Sequence, residues 1–375
     1  MEEEDLKKDR AWIEVNLSNL EYNIHQIKKM INEDTKIIAV VKADAYGHGA
    51  VAVAKKLNEI GIQNFAVASL KEGIELRKNG IKGDILILGY TNEMSISLVV
   101  KYDLIQTLVD STYAEILNKM NLDSKIRCHL AINTGMNRIG ENYKNIDKII
   151  QTYKLNNLQI EGIFSHLCVS DSEEDDDIHF TNCQIQNFKD VIQQIKQNGI
   201  NPGIAHIQAS YGILDYSNIG FEYVRVGIIM YGVYATKDDE IKLNVKPVLS
   251  LKARVSTVRE IEAGESVSYG RTFKSSKKMQ IASVTIGYAD GYPRNLSNKN
   301  VKVMIHGKTA EVIGRICMDQ LIIDISNIPD VKTGDIVTLI GDNSEISAEQ
   351  VSDKAGIITY ELLSRLGKRV EKVLI

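Results

Sequence analysis

Eight short apolar runs recur along roughly the first two-thirds of the chain, each separated from the next by an amphipathic stretch bearing Lys, Glu and Asn: "KIIAVVKA", "NFAVASL", "DILILGY", "LIQTLVD", "IRCHLAI", "QIEGIFSHL", "IAHIQAS" and "YVRVGIIMYG". Continuous Ile, Val and Leu without polar alternation is the pattern of parallel strands covered on both faces. The intervening segments, such as "SLKEGIELRKNGI" and "FKDVIQQIKQNGI", carry helical spacing and end in Asn-Gly, the signal of a helix stop. Alternation of eight strands with helices predicts an α/β chain that begins with a (β/α)8 TIM-type barrel, whose chemistry collects where the strands end. From about Lys246 the texture changes to period-two alternation punctuated by Gly, Asp and Asn, which predicts a mainly β domain. The expected division is 1–243 for the barrel and 244–375 for the β domain, with the extreme N-terminus packing against the latter. A capping box from Ser347 to Gln350 opens a predicted helical tail carrying "ITYELLSRLGKRVEKV", and the acidic run "SDSEEDDDIHF", Ser170 to Phe180, reads as a solvated loop.

Composition narrows the function. The 375 residues are 44% hydrophobic and 25% charged, a globular balance. A net charge of −4 and a pI near 6.0 disfavour nucleic acid or an anionic membrane surface as the partner, since both attract clustered Lys and Arg. A small molecule is the expected partner. No run reaches the 18 or so apolar residues of a membrane span, and the opening "MEEEDLKKDR" is unlike a signal peptide, so the expected location is cytoplasmic. Cys128, Cys168, Cys183 and Cys317 form no paired pattern, which predicts neither a metal site nor a disulfide framework.

If the eight runs are barrel strands, the residues just past them share one rim. That set contains Lys42 and Tyr46 after the first run, "NTGMNRIG" (Asn133 to Gly140) after the fifth, His166 at the sixth, Ser210 after the seventh, and Arg225 with Gly227 in the eighth. Small residues and backbone N–H groups at Ser210, Gly227 and Ile228 stand where such barrels place a phosphate. A lysine facing a phosphate corner points to pyridoxal 5'-phosphate held as a Schiff base.

The motif "VVKADAYGHGA" resembles the cofactor-lysine signature of alanine racemases. The resemblance continues through "INTGMNRIG", "FSHL", "YVRVGIIMYG", "VSYGRTF", "GYADGYPR" and "GRICMDQ", across essentially the whole chain. It implies a pyridoxal-phosphate isomerase built from a barrel and a β domain, working on alanine as a head-to-tail homodimer with shared active sites and supplying D-alanine for peptidoglycan. By the same resemblance, Lys42 and Tyr269 are the two catalytic bases, and Tyr269 reaches in from the neighbouring subunit. Tyr46, Ser210, Gly227, Ile228 and Tyr360 match phosphate contacts. Arg225 matches the arginine at the pyridine nitrogen, and His166 is placed between it and Tyr269. Arg138 and the Met318 backbone match substrate-carboxylate contacts. Asp171, Tyr288, Arg294 and Arg315 match an access corridor. Because a guanidinium carries only donors and stays protonated, it would leave the ring nitrogen a neutral acceptor.

One motif departs from the family. Many members carry a carbamylated lysine two residues before the Asp of "DTGMGR", whereas here "HLAINTGMNRIG" puts Ala131 and Asn133 at those places. A bound chloride or water cluster beside Arg138 and Asn133 is the expected replacement. The stretches "KKDRAWIEVNLSNLEYN" and "ITYELLSRLGKRVEKV" also resemble the racemase domain of the membrane-bound serine racemases of vancomycin resistance. Tyr360 keeps the bulky phenol, which favours alanine with serine slower. Two other classes stay open: a non-catalytic carrier of pyridoxal phosphate, which would need neither Tyr269 nor a β domain, and a decarboxylase, which would need a carboxylate where Arg225 stands.

Overall fold

The computed structural model describes residues 8–234, 242–367 and 369–375. The acidic opening used for the signal-peptide reading falls mostly in residues 1–7, outside them. Strand β1 (Ala11–Val15) comes first and leads into a helix, Leu17–Met30, whose N-cap Asn16 accepts a hydrogen bond from the Asn19 N–H at 2.9 Å. Then follow β2 (Lys36–Val40), β3 (Asn64–Val67), β4 (Asp84–Ile87), β5 (Ile105–Leu108), β6 (Ile126–Asn133) with the two-residue β7 (Glu141–Asn142) beside it, β8 (Leu158–Phe164), β9 (Ile204–His206) and β10 (Tyr223–Val226). Apart from β7, these strands pair in parallel around a closed ring, β2-β3-β4-β5-β6-β8-β9-β10, completed by the β10–β2 and β5–β6 pairings. All eight apolar runs of the sequence are barrel strands. Their near-complete burial, as in β3 to β5, is why no alternation marks them: barrel interior and surrounding helices both exclude water.

The second half behaves differently because its sheet is half wet. Strand β11 (Leu249–Ile261) alternates buried and part-exposed positions. After the small hairpin β12 (Ser266–Val267) and β13 (Phe273–Lys274) come β14 (Met279–Val284), β15 (Lys302–Ile305), β16 (Lys308–Ile313), β17 (Leu321–Asp324), β18 (Ile336–Ile340) and β19 (Glu371–Leu374). Strand β11 is long enough to pair with β18 and β1 near its start and with β14 along its end, so β14-β17-β16-β15-β18-β11 closes on itself. Strand β1 therefore lies in the sheet of the C-terminal half. Trp12, 1% exposed, anchors it there, with the Arg254 guanidinium 5.3 Å over its ring.

Two expectations fail. Among the described residues the tail is helical only over Ala348–Ala355 and Thr359–Ser364; residues 371–374 are β19, which pairs parallel with β1. The open edge of β1 takes that segment as a strand, satisfying backbone groups that a helix there would leave bare. Of the capping box, the Ser347 half forms, its hydroxyl accepting from the Gln350 N–H at 3.1 Å. The acidic run is not all loop: Asp175, Asp176 and Asp177 form the first turn of a long helix, Asp175–Gln197, where carboxylates favour the positive end of the helix dipole. Among the described residues no helix is long and apolar enough to cross a membrane.

Candidate active site

The strand β2 delivers Lys42 to the barrel rim, and the chain then turns the wrong way. Ala43, Asp44, Ala45 and Tyr46 all have left-handed backbone, with φ of 52°, 54°, 53° and 52°. Each such non-glycine residue costs about 1–2 kcal/mol, so the turn must be held by its surroundings. Gly47 ends it at φ 84°, against the carbonyl of Leu363 from the C-terminal half. A Cβ at Gly47 would overlap that carbonyl. We expect Gly47→Ala to destabilise the protein by at least about 1–3 kcal/mol, read as a lowered denaturation midpoint; an unchanged midpoint would mean the two halves separate here freely.

Beside the turn, one end of the cavity is a cup of hydroxyls. The Ser210 Oγ accepts from the Gly227 N–H at 3.1 Å and from the Ile229 N–H at 3.4 Å. A Cβ on Gly227 would meet the Tyr46 Oη at 3.1 Å and the Ser210 Oγ at 3.5 Å, so only glycine leaves this hollow open. The rings of Tyr46 and Tyr360 meet edge to face at 5.9 Å. Burial and the neighbouring Tyr360 raise the Tyr46 phenol, keeping it a neutral donor.

Arg225 forms the floor. It is 4% exposed, and its two terminal nitrogens are engaged by acceptors: the His206 Nδ1 at 2.6 Å, the His166 Nδ1 at 3.1 Å, and the carbonyls of Ser165, His206 and Ile207 at 2.8–3.1 Å. Its Nε–H has no hydrogen-bond partner among the described residues. Since guanidinium only donates, both imidazoles must accept on Nδ1 and carry their proton on Nε2. His206 then donates to the His129 Nδ1 at 3.0 Å. Phe164 stacks on His206 and lies 5.3 Å under the Arg225 guanidinium. Burial and the Arg138 charge push Arg225 down to about 9, still protonated at neutral pH. Burial, then Arg225, Arg138 and Lys42, hold His166 down at about 3, so it stays neutral. The Lys42 amine is likewise pushed down, first by burial and then by Arg138 and Arg225.

Lys42, Tyr46, Ser210, Gly227, Tyr360, His166, Phe164 and Arg225 line a single cavity of about 1620 Å³ at the barrel mouth, along with Ile228, Arg138 and Asp171. Arg138 is exposed, without a hydrogen bond or ion pair to the described residues. Ala131 and Asn133 both line the cavity, and the Asn133 amide is bonded within its own loop, its oxygen accepting from the N–H groups of Gly135 and Asn137 and its nitrogen donating to the Asn137 side chain at 2.8 Å. Five expected site residues do not line this cavity. Tyr269 (69% exposed), Met318 and Tyr288 stand on the surface of the β domain with Arg294 and Arg315, and hydrogen bonds to backbone carbonyls tie the neighbouring loops together: the Tyr288 N–H donates to the Cys317 carbonyl at 3.0 Å, the Ala289 N–H to the Met318 carbonyl at 3.0 Å, and the Ser268 Oγ to the Arg315 carbonyl at 2.5 Å. His129, His206 and Phe164 were not singled out from the sequence. Their signal was faint: a polar or aromatic side chain at a buried strand position.

The family model for the alanine racemase N-terminal domain matches residues 15–235, and that for the C-terminal domain matches residues 248–374. The chain belongs to the alanine racemase family. Among curated relatives, an amino-acid racemase of Enterococcus faecalis is 43% identical over 96% of this chain and 51% of its own length, and an alanine racemase of Clostridium tetani is 43% identical over 97% of this chain and 95% of its own. The chain thus spans about half the length of the Enterococcus relative and nearly all of the clostridial one. The solved alanine racemase of Clostridium difficile 630 superposes with a TM-score of 0.91 at 38% identity, covering 98% of this chain and 96% of that one. That of Bartonella henselae, determined with covalently bound pyridoxal phosphate, does so with a TM-score of 0.85 at 29% identity, covering 98% and 99%. The family fold of barrel and β domain is the fold described above.

Proposed function

We propose that the chain interconverts L-alanine and D-alanine with pyridoxal phosphate held on Lys42. The observation that carries this reading is the composition of one cavity: a half-buried lysine, a cup of hydroxyl and phenol donors open only because residue 227 is glycine, and an arginine rather than an acid on the floor. That donor set fits the cofactor. Tyr46, Ser210, Tyr360 and the backbone of Gly227 and Ile228 would hold its phosphate, and the Arg225 Nε–H would face its ring nitrogen. When bound, pyridoxal phosphate withdraws electrons from the amino acid and so acidifies the Cα hydrogen.

Lys42 Nζ, lowered by burial and two arginines, takes or returns the Cα proton on one face. The opposite face needs a second base, and Tyr269 of a second copy supplies it, which its exposure away from its own cavity permits. The His166 Nε2–H then donates to that phenol oxygen, favouring its ionised form, while burial and then the Arg225 charge keep His166 neutral. Arg138 binds the substrate carboxylate with the Met318 backbone of the second copy, and Tyr288, Arg294, Arg315 and Asp171 flank the way in. A chloride or water cluster beside Arg138 takes the place of the absent carbamate, because Ala131 offers a methyl and the Asn133 amide is spent on its own loop. Supply of D-alanine to peptidoglycan in the cytoplasm is the role this activity would serve.

The Enterococcus relatives, named for amino acids in general, keep serine as a second reading. Incubating the protein with L-alanine or L-serine in deuterated water separates the two. We expect D-alanine carrying deuterium at Cα, with D-serine up to about a hundredfold slower, since an apolar pocket discriminates weakly against an added hydroxyl. Serine leading would overturn the alanine assignment; cofactor absorbance with neither racemised would leave a carrier.

A further inference from the structure

The left-handed turn after Lys42 is gripped by a carboxylate that neither the motif nor the cavity lining reveals. We propose that Glu72 is a positioning residue for Lys42: it clamps the backbone N–H that follows the lysine and so fixes the direction in which the amine enters the cavity. The inference rests on the reading of Lys42 as the cofactor lysine.

Glu72 stands in the first turn of the helix Leu70–Lys78, where a capping box with Ser69 accounts for one of its oxygens: Oε2 accepts from the N–H groups of Ser69 at 3.2 Å and Ala68 at 2.7 Å, and the Ser69 Oγ accepts from the Glu72 N–H at 3.4 Å. Capping needs nothing more. The other oxygen, Oε1, reaches back across the rim from the β3 side to the β2 side and accepts from the Ala43 N–H at 2.7 Å. One carboxylate thereby ties the ends of two adjacent barrel strands together at the residue after Lys42. The far side of the turn is held independently, Asp44 accepting from the Ala50 N–H at 2.7 Å and pairing with Lys372 of β19 at 2.9 Å. A backbone so costly to form has few ways to keep its shape, and a charge-assisted bond at its first free N–H is a strong one. The same carboxylate acts on the Lys42 amine: Arg138 and Arg225 oppose its protonation and Glu72 partly offsets them, with His166 alongside held neutral.

The test compares Glu72→Ala with Ser69→Ala, which removes the helix cap but leaves the Ala43 bond. Borohydride is used to trap pyridoxal phosphate on Lys42 over a range of cofactor concentrations, the Lys42 peptide is read by mass spectrometry, and the denaturation midpoint and the kcat and KM for alanine are followed in parallel. Glu72→Ala should raise the half-saturating cofactor concentration about tenfold or more, the effect of losing a hydrogen bond to a charged group, and lower kcat with KM nearly unchanged. Ser69→Ala should lower the midpoint and leave trapping as in the wild type. Glu72→Gln, which keeps one carbonyl oxygen for Ala43, should recover part of the loss, and it decides the matter if Glu72→Ala does not fold. Wild-type trapping in Glu72→Ala, or an equal loss in Ser69→Ala, would overturn the inference. Absence of trapping on Lys42 in the wild-type protein would instead overturn the cofactor reading, and the inference with it.

Discussion

Tyr269→Phe will keep the visible absorbance of the bound cofactor and lose racemisation in both directions by about a thousandfold, within the range expected for removing a general acid or base. Lys42→Ala will lose both the absorbance and the activity. The asymmetry follows from where the two residues stand: Lys42 lies inside the cavity beside the phosphate cup, whereas Tyr269 is 69% exposed on the β domain and touches no part of the cavity of its own chain. Their separation makes a sharper test possible. If each site takes its lysine from one chain and its tyrosine from another, mixing the two inactive variants under conditions of subunit exchange produces dimers with one site carrying both defects and one carrying neither. Half the dimers are mixed and half their sites intact, so about a quarter of wild-type activity should return, as the symmetry of a two-fold assembly requires. Recovery checks the dimer, the shared site and both bases together. If mixing restores nothing although exchange is verified, Tyr269 does not serve a partner's site.

Acid will unfold the protein well above the pH at which carboxylates titrate. His48, His129 and His206 are buried and His166 is half-buried at the cavity wall, and the protonated form of each is disfavoured, with His48 held at about 4, His129 and His166 at about 3, and His206 well below its ordinary value. Burial is the first cause in each case, and Arg225 adds repulsion for the last three. A histidine whose folded pKa lies below its unfolded value near 6.5 binds a proton only on unfolding. Its stabilising contribution is complete above pH 6.5 and drains away as pH falls toward the folded value. Each group contributes a slope of up to about 1.4 kcal/mol per pH unit in that window, and four together about 5. The denaturation midpoint should therefore drop steeply between pH 6.5 and 4.5, with proton uptake on unfolding measurable by calorimetry in buffers of different ionisation enthalpy. A flat midpoint from pH 7 to 5 would mean that these imidazoles are reached by water or by a compensating acid.

The barrel was legible because burial on both faces removes polar residues from a strand, and an uninterrupted run of Ile and Val needs no neighbour to be recognised. The β domain was legible for the opposite reason: a sheet wet on one side, as β11 is, writes period two into its own sequence. Lys42, Tyr46, His166, Ser210, Arg225 and Gly227 could be placed on one rim because strand ends of a closed parallel ring must share a face. Local pattern determined that much by itself. What only the tertiary structure decided are the pairings between distant segments: β19 reads as helical tail until the free edge of β1, joined to it from the other end of the chain, takes it as a strand. Likewise only the fold brings the Ala43 N–H to the Glu72 oxygen that its helix cap leaves over, and only there does the Arg225 guanidinium, which can only donate, set the tautomers of His206 and, through it, His129. Tyr269 carries a motif, yet its own chain leaves it on the surface. In each case the deciding contact joins residues that no sequence period relates, so the energy that selects it exists only once the chain has folded.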